Sequence, residues 1–203
     1  MQAARGASLN PSDPAHPPGG RPLASRPRPR ALALLAAVAA VGYAVDLTTK
    51  IIAVERLTDR APLPVVGELL TLRLVRNPGA AFSTGTSYTL LLSLVAIAAV
   101  CAVLWFARRL RSTGWALALG FLLAGVLGNL TDRVFRSPGF LRGHVVDFLQ
   151  LPNWPIFNVA DICINVAAVL IVVQAVRGIS IDGSRSGDTS SPDRSAGDPG
   201  PAP

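Results

Sequence analysis

Charge is scarce in this chain. Only 15% of its 203 residues are Asp, Glu, Lys or Arg, against about 25% in an ordinary soluble domain. Aromatic residues are few as well, at 6%, while half of the chain is hydrophobic. The missing charge is concentrated in a few long apolar runs, which argues against a water-soluble domain and for a polytopic membrane protein. Cysteine and histidine are nearly absent. Cys101 and Cys163 both lie inside apolar runs and match no metal-ligand or redox spacing, so they read as small buried apolar residues. His144 stands in a loop segment with no Ser or Cys near it in sequence to activate. No cluster of His, Cys and carboxylates has ligand spacing, so neither a metal nor a cofactor is expected.

What charge there is runs positive, to a net +7. The basic residues sit mainly in the tails and one short loop, a pattern that membrane topology explains without nucleic acid. Residues 1–30 are rich in Pro, Arg, Gly and Ala, and the chain from 182 onward in Ser, Gly, Asp and Pro. Neither stretch can bury enough apolar surface to fold. Residues 1–30 and 178–203 are therefore expected to be disordered tails around a membrane domain at 31–177. The apolar run after the basic N-terminal stretch outlasts a signal-peptide core and has no clear cleavage site, so it reads as a retained span.

Four runs are long enough to cross a hydrocarbon core of roughly 30 Å. They are Ala31 to Val54, Tyr88 to Ala107, Trp115 to Phe135 and Phe157 to Val176. An even number places both termini on one side. Arg21, Arg26, Arg28 and Arg30 precede the first span, Arg108, Arg109 and Arg111 join the second to the third, and Arg177 and Arg185 follow the fourth. That bias places the termini in the cytoplasm, despite Arg56, Arg60, Arg73, Arg76, Arg136 and Arg142 on the other side. In the long first outer loop, "LLTLRLV" alternates apolar and polar residues and "NPG" signals a turn. The fold expected is all-α, four transmembrane helices, with a small extracytoplasmic β element at about Leu69 to Phe82 between helices one and two. Trp154, Trp115 and Tyr88 fall near span ends, where amphipathic rings commonly sit.

The informative residues are those that a lipid-facing helix would reject. Asp46 and Lys50 are i and i+4 on span one and can pair. Asn129, Asp132 and Arg133 end span three; Asn158 and Asp161 open span four, with Asn165 a turn deeper. Each has a plain structural reading beside a functional one. Asp46 and Lys50 can be an intrahelical pair only, Asp132 and Arg133 an interfacial anchor, Asn158 and Asp161 helix caps, and Asn77 the maker of its turn. Asp147 and Asp161 are harder to explain that way. They lie fourteen residues apart with Pro152 and Pro155 between them. A compact connection between two antiparallel spans would bring them together at the outer interface. Two carboxylates that share a site cannot both ionise easily, and such a pair can activate water while donating a proton.

Four stretches, taken in order, resemble the lipoprotein signal peptidases, the type II signal peptidases of bacteria. They are "DLTTK" (Asp46–Lys50), "NPGAAFS" (Asn77–Ser83), "GNLTDR" (Gly128–Arg133), and "VVDF" with "FNVAD" (Val145–Phe148 and Phe157–Asp161). The resemblance covers about residues 31–177, departing from the usual pattern at Leu47 and Pro78. It implies an intramembrane aspartyl protease that cuts diacylglyceryl-modified prolipoproteins just before the lipidated cysteine. Its catalytic aspartates fall on Asp147 and Asp161. Its other characteristic positions fall on Asp46, Lys50, Asn77, Gly79, Asn129, Asp132, Arg133, Asn158 and Ala160, as site support or substrate placement. It further implies the bacterial inner membrane, lipid-modified substrates and membrane lipids as partners, a monomer, and a site near the outer face. Two other classes stand beside it. A proton- or solute-coupled carrier would use the same acids, but they gather at one interface and no inverted repeat is visible. A non-enzymatic scaffold would tolerate Asn at both aspartates.

Overall fold

The computed structural model describes residues 28–79 and 88–185. These form four helices, α1 (Pro29–Leu57), α2 (Thr89–Ala107), α3 (Thr113–Phe135) and α4 (Val159–Val176), and three strands, β1 (Leu63–Val66), β2 (Leu70–Asn77) and β3 (Val145–Gln150). Each helix is long and apolar enough to cross a membrane. The shortest, at 18 residues, spans about 27 Å, close to the hydrocarbon thickness. The expected spans are all present, with ends moved by no more than three residues.

Val41 and Ile51 on α1, Leu91 and Val95 on α2, and Val169 and Val172 on α4 all point outward. Apolar side chains on the outer faces of buried-centre helices suit lipid, not water. α3 is the hub and packs against α1, α2 and α4. Its buried Ala116, Ala118, Gly120, Ala124, Gly125 and Gly128 allow that close approach. At one end of the bundle Leu35, Ala39, Val103, Leu110 and Leu119 form an apolar core. At the other, Ala53 and Leu57 of α1 pack against Val146 and Phe148 of β3 and so seat the sheet on the helices. Cys163 is buried, but Cys101 lies on the outer face of α2, contrary to expectation; the lipid-facing side of a span accepts a thiol as a small apolar group.

The strands make one antiparallel sheet in the order β1-β2-β3. The β element expected between α1 and α2 is there as β1 and β2, and residues 80–82 of its expected range lie outside the described residues. The sequence pattern does not predict the third strand: it comes from the connection between α3 and α4 and carries Asp147. The cause is burial. β3 reads VVDFLQ and its first four residues are all buried, so the alternation that marks a half-buried strand is missing. The register sets Val75 against Asp147 and Asn77 against Val145, with an irregularity between Leu72 and Val75.

After α4, residues 178–185 turn back on the bundle. Ile179 bridges Arg185, and the Ile181 carbonyl accepts from Arg111 N at 3.0 Å and Ser112 N at 3.2 Å. Trp115 Nε1 donates to the Ile179 carbonyl at 2.7 Å. The remaining tail residues, 1–27 and 186–203, lie outside the described residues.

Candidate active site

Asp147 is the third residue of β3, and Asp161 lies in the first turn of α4. The connection between them folds back on itself. Phe157 N donates to Leu149 O at 3.0 Å and Leu149 N to Phe157 O at 2.9 Å. Asn153 takes φ +56° in the turn, a conformation Asn tolerates better than most residues. The chain then enters α4 through Asn158, the N-cap. Asn158 Oδ1 accepts from Asp161 N at 3.0 Å, and Asp161 Oδ2 accepts from Asn158 N at 3.1 Å. This reciprocal capping box makes Asp161 a structural cap. Its other oxygen, Oδ1, accepts from Asn129 Nδ2 at 2.9 Å.

Asn158 also reaches the other acid. Its Nδ2 lies 2.7 Å from Asp147 Oδ1, 3.1 Å from Asn129 Oδ1 and 3.3 Å from Val146 O. Asn77, at the end of β2, donates from Nδ2 to Asp147 Oδ2 at 2.9 Å, while its Oδ1 accepts from Gly79 N at 2.8 Å. Asn77 therefore shapes its turn and touches the acid. Gly79 sits at φ +105°, where a side chain would strain the backbone. Asp147 is only 2% exposed. Burial pushes its carboxyl up to about 6; the Asp161 charge adds to the rise, and the Asn77 and Asn158 amides oppose it. The geometry thus joins two carboxyl groups through one asparagine, one of them biased towards its protonated form. Such a pair can hold a proton on one side and accept one on the other.

Beneath this pair lies a buried ionic knot. Lys50 is the only lysine of the chain and is fully buried. Three oxygens surround its ammonium: Asp46 Oδ2 at 2.8 Å, Asp132 Oδ2 at 3.0 Å and Asn129 Oδ1 at 3.0 Å. Asp46 Oδ1 accepts from Ala160 N at 2.8 Å, and Asp132 Oδ2 from Val146 N at 3.1 Å. The knot therefore ties α1 and α3 to the backbone on either side of the acid pair. A Cβ at Gly128 would run into the Asp46 carboxylate, so this close approach needs glycine.

All eleven residues named from the sequence gather at this end of the bundle, with one change of partnership. Asp132 pairs with Lys50 and Arg136, not with its neighbour Arg133. Arg136 was missed, although its i+4 spacing from Asp132 was the available signal. Arg133 lies within electrostatic reach of Asp147 and Asp161, and its Nε has no hydrogen-bond partner among the described residues. Also missed were Thr89 and Ser93, one turn apart on α2. Thr89 Oγ1 donates to Pro78 O, and Ser93 Oγ to Leu141 O at 2.7 Å, so they pin the two loops that flank the pair. Asn165 is exposed and donates to the Asp161 carbonyl at 2.9 Å.

Residues 38–177 match the protein family described as Signal peptidase (SPase) II. A lipoprotein signal peptidase of Mycobacterium avium (strain 104) is 48% identical over 169 residues, 83% of this chain and 92% of that protein. One from Rhodococcus jostii (strain RHA1) is 51% identical over 154 residues, 76% of this chain and 78% of that protein. Among solved structures, a bacterial membrane enzyme determined by the in meso method at 1.9 Å resolution superposes with a TM-score of 0.64 at 25% identity. The match covers 76% of this chain and 98% of that one.

Proposed function

The chain belongs to the signal peptidase II family, a family of membrane peptidases, and from that membership we propose an aspartic mechanism that cleaves prolipoproteins just before the diacylglyceryl-modified cysteine. The observation that carries the mechanism is Asn158, which contacts Asp147 through its side chain and Asp161 through its backbone.

Asp147, buried and inclined to keep its proton, is the donor; Asp161, whose Oδ1 meets Asn129, is the base. Asp161 takes a proton from water as the water oxygen bonds to the scissile carbonyl carbon. Asp147 gives its proton to the carbonyl oxygen. In the resulting tetrahedral diol the C–N bond breaks, the departing cysteine nitrogen takes the proton held by Asp161, and a diol hydroxyl returns a proton to Asp147. The products are a signal-peptide carboxyl and a free amine on the lipidated cysteine. The unpartnered Arg133 Nε is suited to a substrate backbone carbonyl. The substrate's acyl chains stay in lipid. The arginines at the helix ends away from the pair argue for a cytoplasmic location there, and so for an acid pair near the outer face of the membrane.

The test is gel-shift cleavage of a diacylglyceryl-modified prolipoprotein by purified parent, Asp147→Asn and Asp161→Asn. Both variants are expected to insert normally and to lose cleavage. Near-normal turnover by either one sinks the aspartic mechanism.

A further inference from the structure

The helix ends away from the acid pair carry a charge pattern of their own. Arg28 and Arg30 stand at the start of α1, and Arg111 in the turn between α2 and α3. All three line one cavity of about 570 Å³, with Thr113 beside them and Ala31 and Leu34 as an apolar wall. Backbone bonds hold the arrangement. Arg28 N donates to the carbonyl of fully buried Leu110 at 3.2 Å, and Arg111 N to Ile181 O at 3.0 Å. No carboxylate is among the described residues that line the cavity, and no described acid forms an ion pair with these guanidinium groups. The acid that Arg111 does influence, Asp182, already accepts from Ser184 N at 3.0 Å and Ser184 Oγ at 2.7 Å. The nearby Arg109 is instead laid over the Trp105 ring, 5.5 Å from its centroid.

Arg28 and Arg30 from one part of the chain and Arg111 from another thus line one cavity with no described acid paired to them, and an anion seated there would meet positive charge from both. The wall of the cavity says which anion. Ala31 and Leu34 belong to the first turns of a span, at the depth where acyl chains begin. A free anion would leave half-buried Leu34 uncovered, whereas a phosphodiester with acyl chains covers it and meets the arginines. We infer that this cavity binds the phosphate of an anionic phospholipid from the leaflet away from the acid pair. The arginines donate to the phosphate oxygens, and an acyl chain runs along Leu34.

The full chain, purified from nanodiscs of phosphatidylcholine with a minor fraction of phosphatidylglycerol, is examined by native mass spectrometry for retained lipid. The parent is expected to keep phosphatidylglycerol in preference to phosphatidylcholine. Arg28→Gln/Arg30→Gln/Arg111→Gln is expected to lose at least tenfold of that preference, and the single Arg111→Gln several-fold, which serves if the triple variant does not insert. Arg56→Gln/Arg60→Gln/Arg142→Gln removes equal charge at the other end and is expected to keep the preference. The inference is overturned if the first set retains the lipid or the control set loses it equally. It is also overturned if inorganic phosphate displaces the lipid as well as phosphatidylglycerol itself does. The readout is independent of cleavage, so the peptidase mechanism and this site stand or fall separately.

Discussion

Lys50 Nζ lies 3.0 Å from Asp132 Oδ2, and the same oxygen accepts from Val146 N, next to Asp147. A cation on α1 thus fixes the backbone of β3 through a carboxylate on α3. Lys50→Met keeps most of the side-chain volume and leaves Asp46 buried without a cation and Asp132 with Arg136 alone. Breaking a buried pair in this way costs roughly 3–5 kcal/mol. The expected result is a clear drop in the thermal midpoint of the detergent-purified protein. An unchanged midpoint would mean that Lys50 contributes little to holding the helices together.

Asn158 has two duties that substitution can separate. Asn158→Ala removes both the cap of α4 and the amide at Asp147. Asn158→Ser restores a capping oxygen, worth about 1 kcal/mol, but not the amide. Serine is therefore expected to recover stability relative to alanine while turnover stays roughly 10–100-fold below the parent. Recovery of turnover along with stability would reduce Asn158 to a cap.

The raised Asp147 carboxyl makes stability depend on pH. Between its ordinary value of 3.8 and about 6 the folded chain keeps a proton that the unfolded chain releases. Stability therefore falls as pH rises through that window and levels off above it, by about 3 kcal/mol at most. Melting curves across pH 4 to 7 are expected to show this decline in the parent and lose it in Asp147→Asn. A parent more stable at the upper end would reverse the assignment.

Asn77 donates to the Asp147 carboxylate and so favours its ionised form. With Asp147 as proton donor, kcat/KM falls on the alkaline side as the pair loses its proton. Asn77→Ala is expected to move that limb to higher pH while lowering the maximum. A limb that moves to lower pH would assign the donor role elsewhere.

The spans were legible because lipid imposes one requirement, a long apolar run, and each run meets it alone. The Asp46–Lys50 pair was legible because helical spacing puts both on one face. Asn158 and Asp161 were legible as caps because a cap is local. β3 was not, since a strand covered on both faces loses its alternation, and its pairing with β2 depends on chain far away in sequence. The choice of Lys50, over Arg133, as a partner of Asp132 was equally hidden. It depends on how α1 leans on α3 and on which face of α3 turns inward, and both follow from packing.

The capping box has a consequence for the order of events in turnover. The carboxylate that would receive the proton from water is the one that finishes the first turn of α4. While it holds that proton it is a poorer acceptor for the Asn158 and Asn129 N–H groups that depend on it. The helix terminus is thus least well satisfied midway through the reaction and regains its bonds only when the departing amine takes the proton. Backbone order at the start of α4 would then favour return of the free base after every cut, so that resetting the enzyme and re-forming the helix end become one event.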